Sequence, residues 1–196
     1  MILVPAAAKQ PATPERLAEI YRRASKEHHI ELAAAQSGLL GAGADAVSQM
    51  MHQLPVDSAH VMAMAVLAAI LSGACNAYWL RSLEAAVPGS SSRAVLTKTV
   101  LDFCIAGVLA NSAYLVGVPA VTALFGGSSF ADALATHGWT VDGFRDVMLL
   151  EALTFGPYNL CAFKMVPPRL RPLSAATVSA ACTIALSGVT LGFSVL

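Results

Sequence analysis

Asp45 and Gln49 sit in LAAAQSGLLGAGADAVSQMMH, and Glu151 sits in FRDVMLLEALTFGPYNLCAFKMV. Polar groups in stretches this apolar have two uses. They can line a hydrated vestibule that attracts cations and passes small solutes, or they can hydrogen-bond between helices and hold them in register. Placed on helices, Asp45 lies roughly 10 Å from the end of its stretch and Glu151 roughly 12 Å from the same side, so the two carboxylates are expected at similar depth. Lys98 and Asp102, four residues apart, are expected to form an ion pair along one helix face. Trp79 and Arg81 have the character of interface anchors. Pro119 and Pro157 are expected to kink their helices and free a carbonyl one turn earlier.

No arrangement of nucleophile and base is visible, nor a phosphate-binding loop or metal-ligand spacing. Cys75, Cys104, Cys161 and Cys182 lie far apart in apolar surroundings and read as small packing residues. The expectation is therefore no enzyme activity, no catalytic residue, no metal and no cofactor.

The elements that must position these groups follow from composition. Of 196 residues, 56% are hydrophobic and 12% charged, about half the usual charged share of a soluble domain. Mean hydropathy is +0.64. Charges crowd the first 31 residues, from Lys9 to Glu31. A net charge of +0 lacks the basic face that nucleic-acid binding needs. The start of the chain has neither a signal-peptide pattern nor the Arg- and Ser-rich look of a transit peptide.

A membrane crossing takes roughly 20 apolar residues. Five stretches approach this: Leu32 to His52, Ala59 to Leu83, Leu96 to Phe125, Phe144 to Val166 and Leu173 to Leu196. Lys and Arg alternate between the connections, with Arg81, Arg93 and Lys98 around the second and Lys164, Arg169 and Arg171 around the fourth. That alternation is what five crossings require, with Arg145 out of place. The expected fold class is all-α, a polytopic membrane helix bundle of four to five transmembrane helices preceded by an amphipathic surface helix. Residues 1–31 form the tail and interfacial helix, and 32–196 the bundle. Thr13 reads as the N-cap of that first helix, with Pro14 at its first position. Leu17, Ile20, Tyr21, Ala24 and His28 should share its apolar face.

Small residues recur every fourth position at Ala34, Gly38, Ala42 and Ala46, and again at Ala65, Ala69, Gly73 and Ala77. A third stripe holds Ala176, Ala180, Gly188 and Gly192. Such seams let helix backbones approach closely in lipid, within one chain or between subunits.

Several pieces, in order along residues 32 to 190, resemble a known family. Gly73, Trp79, Leu83, Pro88 and Gly89 match its G-P-x-x-H-x-W-Y-x-x-L followed by P-G. DAVSQ at Asp45 to Gln49 resembles its G-D-x-x-S-Q, and KTVLD at Lys98 to Asp102 its K-x-x-L-D-Q. AFKMVPPRLR places Phe163, Val166, Pro167 and Arg171 on its N-F-x-x-V-P-x-x-x-R, and Leu186-Ser187 matches its final L-S. This is the 22-kDa peroxisomal membrane protein family, of the Mpv-seventeen type. The chain departs from it at Ala77 and Leu80 in the first signature, at Phe103, at Leu160 and Ala162, and at Cys182-Thr183. Most of these replace a polar residue by an apolar one.

The resemblance implies a small, non-enzymatic integral protein of the mitochondrial inner membrane, with plastid or peroxisomal membranes as alternatives. Two functions remain open. One is an accessory or structural subunit of a larger membrane complex, whose partners are lipid and other membrane subunits. The other is a small-solute channel or permeability-modulating protein.

Overall fold

The computed structural model describes residues 13–137 and 139–190. Regular structure among these residues is helical throughout. Helix α1, Pro14–Glu27, starts as its sequence predicts, with the Thr13 hydroxyl accepting from the Arg16 N–H. A break at His28 separates it from α2, His29–Met51. The next two helical rods each change pitch part-way. The first, Ser58–Ala86, runs as α3 (Ser58–Leu67), a π-helical stretch (Ala68–Cys75) and α4 (Asn76–Ala86). The second, Ser92–Gly126, runs as α5 (Ser92–Leu101), a π-helical stretch (Asp102–Gly107) and α6 (Val108–Gly126). A short α7 (Phe130–His137), a long α8 (Val141–Met165), a 3-10 turn (Pro168–Leu170) and α9 (Arg171–Thr190) follow.

The ends are set by local chemistry. Asp57, Ser91 and Thr140 cap α3, α5 and α8 with their side-chain oxygens. Gly127, at φ 69°, ends α6 in the left-handed conformation that glycine reaches without strain. Pro119 and Pro157 lie inside α6 and α8, and both helices continue through them. The π-helical stretches lie elsewhere, and neither proline adjoins them.

The two rods are long and apolar enough to cross a membrane, with mean hydropathy 1.8 and 1.7 over their best windows. Only 17% and 6% of those windows is buried against the rest of the protein. A core helix of a soluble domain would be mostly covered, so these surfaces fit a lipid environment. The rods match the second and third expected spans. The other three fall on α2, α8 and α9, and the end of the fifth lies outside the described residues. Residues 1–12 of the expected tail lie outside them as well.

The surface helix differs from expectation. Tyr21, Ala24 and Ser25 turn inward, while Ile20 and His28 are exposed. The side chain of Leu17 lies outside the described residues. What holds α1 against α2 is partly polar, since Gln36 donates to the Tyr21 hydroxyl at 3.4 Å.

The small-residue stripes of the first two spans meet each other. A Cβ added to Gly73 would lie 2.5 Å from the Cα of Ala34 and 2.8 Å from the Ala33 carbonyl oxygen. One added to Gly41 would lie 2.6 Å from the Ala68 Cβ. Gly38 faces Ala65 and Ala69. Backbone therefore rests on backbone, as packing without a hydrophobic driving force requires. The Gly73→Ala protein is expected to lose about 1–3 kcal/mol of stability through overpacking. Gly43, with nothing within 4 Å of its added Cβ, is the control, and Gly43→Ala should be neutral or stabilising. Unfolding of the purified variants in mixed micelles checks both.

Candidate functional site

Among the described residues, polar side chains that join helices collect mainly in three places. The most extensive lies where α4, α5, α8 and α9 meet. Glu84, near the end of α4, accepts on one oxygen from both Lys98 of α5 (2.7 Å) and Arg171 at the start of α9. Lys98 has no exposed surface, and Arg171 is buried. Lys98 also donates to the Gly89 carbonyl at 2.8 Å. Arg171 donates to the Val166 carbonyl at 3.0 Å and the Phe163 carbonyl at 3.3 Å, closing the end of α8. The Phe163 ring is close to both cations, 5.9 Å from Lys98 Nζ and 5.3 Å from the Arg171 guanidinium carbon. Cations over an aromatic face gain attraction where water is excluded. Leu80, Leu83 and Val95 pack with Phe163 beside them.

One turn along α5, Asp102 opens the second π-helical stretch. Its two carboxylate oxygens accept from Trp79 Nε1 and Asn159 Nδ2, each at 2.7 Å. Two expectations are corrected here. Lys98 pairs with Glu84 and not with Asp102, because the turn at Pro88-Gly89 folds α4 back on α5 and brings the glutamate alongside. Trp79 turns inward to bond Asp102, so it joins helices instead of anchoring at the lipid interface. Arg81 is exposed, as an anchor would be.

The second place lies at the other end of α2. Asp45 Oδ2 accepts from Gln49 Nε2 at 2.8 Å and lies 2.9 Å from His60 Nδ1. Gln49 Oε1 accepts from the Asp57 N–H at 2.6 Å, while Asp57 caps α3. These contacts tie the end of α2 to the start of α3. The third place is mid-way along α8, where Glu151 accepts from Asn111 of α6 at 3.5 Å and Gly107 leaves room beside it. Asp45 and Glu151 thus bond to different helices, and among the described residues no hydrogen bond joins them into one vestibule. The reason lies in the packing order. Helix α2 lies against the first π-helical stretch and α9, while α8 lies against α5 and α6.

Sequence reasoning misses four partners: Glu84, Asn159, His60 and Asn111. The turn signal at Pro88-Gly89 is the available pointer to Glu84, since it implies an antiparallel hairpin. Asn159 stands one turn before Phe163, and it supplies an amide where the family's own amide positions, Leu160 and Ala162, are apolar. Nothing in the local pattern marks His60 or Asn111.

A cleft of about 310 Å³ opens beside the first cluster, lined by His29, Leu80, Arg81, Glu84, Ala85 and Pro168. His29 stands in the polar turn before the apolar stretch of α2. Burial, and secondarily the Arg81 charge, push its imidazole below the ordinary value, which favours the neutral ring.

With this geometry in place, comparison with known proteins is informative. A stretch of 76 residues is 32% identical to the Mpv17-like protein of Bos taurus. That similarity supports the Mpv17 family. It covers 39% of this chain and 39% of the relative, so the chain spans about two-fifths of the length of the curated protein it matches. No family model matches the chain, and no solved structure does. Together with the two apolar rods, the distant Mpv17-like homology supports a membrane protein.

The first cluster is expected to dominate stability. Glu84→Gln strands two buried cations and should cost about 3–5 kcal/mol. Lys98→Met leaves the Arg171 pair intact and should cost clearly less. Denaturant unfolding of the two variants side by side measures the difference.

Proposed function

We propose that the chain is a non-enzymatic integral organelle-membrane protein of the Mpv17 family, acting as an accessory or structural subunit of a larger membrane complex. The observation that carries this reading is the use made of the motif residues. Trp79, Lys98, Asp102, Phe163 and Arg171 all spend their polar or aromatic groups on neighbouring helices. Residues engaged in this way hold a bundle together and leave little to line a solute path. The family resemblance favours four to five crossings, and the two apolar rods are candidates for two of them. The mitochondrial inner membrane is the first choice of location, with plastid and peroxisomal membranes next. Lipid and other membrane subunits are the proposed partners, with no nucleic acid among them. Large apolar side chains such as Leu109, Leu124 and Leu153 are exposed along α6 and α8 and offer area for both.

A second reading, a small-solute channel or permeability-modulating protein, draws on Glu151. Its carboxylate is mid-way along α8 and accepts a long hydrogen bond from Asn111, and an ionisable group so placed is a pathway hypothesis by default. Native gel migration and partner identification after mild detergent extraction separate the two. Migration with a large complex of constant composition is expected. A small homo-oligomer would overturn the subunit reading. In planar bilayers, the channel reading requires a cation conductance that Glu151→Gln reduces and Asp45→Asn leaves unchanged.

A further inference from the structure

The first cluster carries an imbalance of charge. Lys98 and Arg171 are both buried, and both point at one oxygen of Glu84. Two cations on one carboxylate leave an excess of positive charge behind the cleft wall that Glu84 helps to form. Arg81, one turn before Glu84 on α4, lines the same cleft and makes no ion pair among the described residues, so it adds a third cation. Within the cluster and the cleft lining, Lys98, Arg171 and Arg81 stand against Glu84 and Asp102. Lys98 and Arg171 are out of water and share a single carboxylate, while Arg81 is exposed and, among the described residues, has its guanidinium free for an anion from outside.

A second, independent feature points into the same space. His29 is 9% exposed and lines the cleft, and its ring has no hydrogen-bond partner among the described residues. Buried polar groups are normally satisfied, so an unpartnered imidazole facing a cleft marks a place for a ligand. Of the remaining walls, Leu80, Ala85 and Pro168 are apolar, and the Glu84 carboxylate is already engaged by Lys98 and Arg171. A guanidinium fork matches the paired oxygens of a phosphate and binds them in bidentate fashion.

We propose that the cleft between the start of α2, the end of α4 and the Pro168 turn binds a phosphate group, with Arg81 and His29 as its ligands. Two sources can carry that group, a lipid headgroup or a soluble organophosphate. This inference goes beyond the subunit reading and stands whether or not the chain joins a larger complex.

The test uses the full chain and two probes that share one phosphoglycerol group. In the first arm the protein is placed in nanodiscs of phosphatidylcholine with and without phosphatidylglycerol, and retained lipid is counted by native mass spectrometry. In the second, detergent-solubilised protein is titrated with glycerol 3-phosphate. Arg81→Gln, at an exposed position, should weaken binding of the effective probe by roughly tenfold. Arg93→Gln, an exposed arginine outside the cleft lining, should change it by less than about twofold, since a distant surface charge is screened. Either probe, bound with that difference between the variants, supports the site. Retention of phosphatidylglycerol alone then assigns a lipid source, and binding of glycerol 3-phosphate a soluble one. Equal losses in the two variants, or no binding of either probe, would overturn the proposal.

Discussion

A lysine with no exposed surface and a buried arginine, set in a bundle with apolar outer faces, both depend on the carboxylate of Glu84. Moving either cation out of water costs several kcal/mol, which only a close partner and further hydrogen bonds offset. Glu84 supplies the partner. The carbonyls of Gly89, Val166 and Phe163 supply the hydrogen bonds, and the Phe163 ring supplies a polarisable floor. Through these contacts four helices are fixed to one another at one end. The inward turn of Trp79, the bonding of Asp102 and the shape of the neighbouring cleft all depend on that arrangement.

The π-helical stretches and the glycines serve the same end by different means. A π turn shifts the face of everything that follows it, and such turns recur at places where a helix must re-aim a side chain. One precedes Trp79 and the other begins at Asp102, the two residues that bond across the hairpin. Gly73 lies within the first of these stretches and lets the rod touch the backbone of α2. Close approach there and charge pairing at the basic end hold different pairs of helices.

Much of the architecture was legible in the sequence because hydropathy and cap chemistry act locally. The second and third spans and the Thr13 cap followed from residues near one another in the chain, whereas the small-residue stripes were legible but not which surfaces they would meet. The polar partners did not follow. Lys98 and Asp102 stand at helical spacing, yet helix packing gave each its partners from other helices. Asp45 and Glu151 have comparable places in their stretches, but depth along a helix does not say which neighbour a helix faces. No local sequence signal marked the π-helical stretches, which lie away from Pro119 and Pro157.

The clamp also constrains the order in which the chain can become whole. Glu84 and Lys98 are 14 residues apart and can meet as soon as their hairpin closes. Arg171 lies 87 residues from Glu84, beyond α6, α7 and α8. Until that late segment arrives, the ends of α8 and α9 have no ionic tie to the early hairpin. Chain closure over so long a separation carries a larger entropic cost than closure of the hairpin. The carboxylate thus acts as a latch whose first half closes within a short hairpin and whose second half depends on a segment 87 residues away.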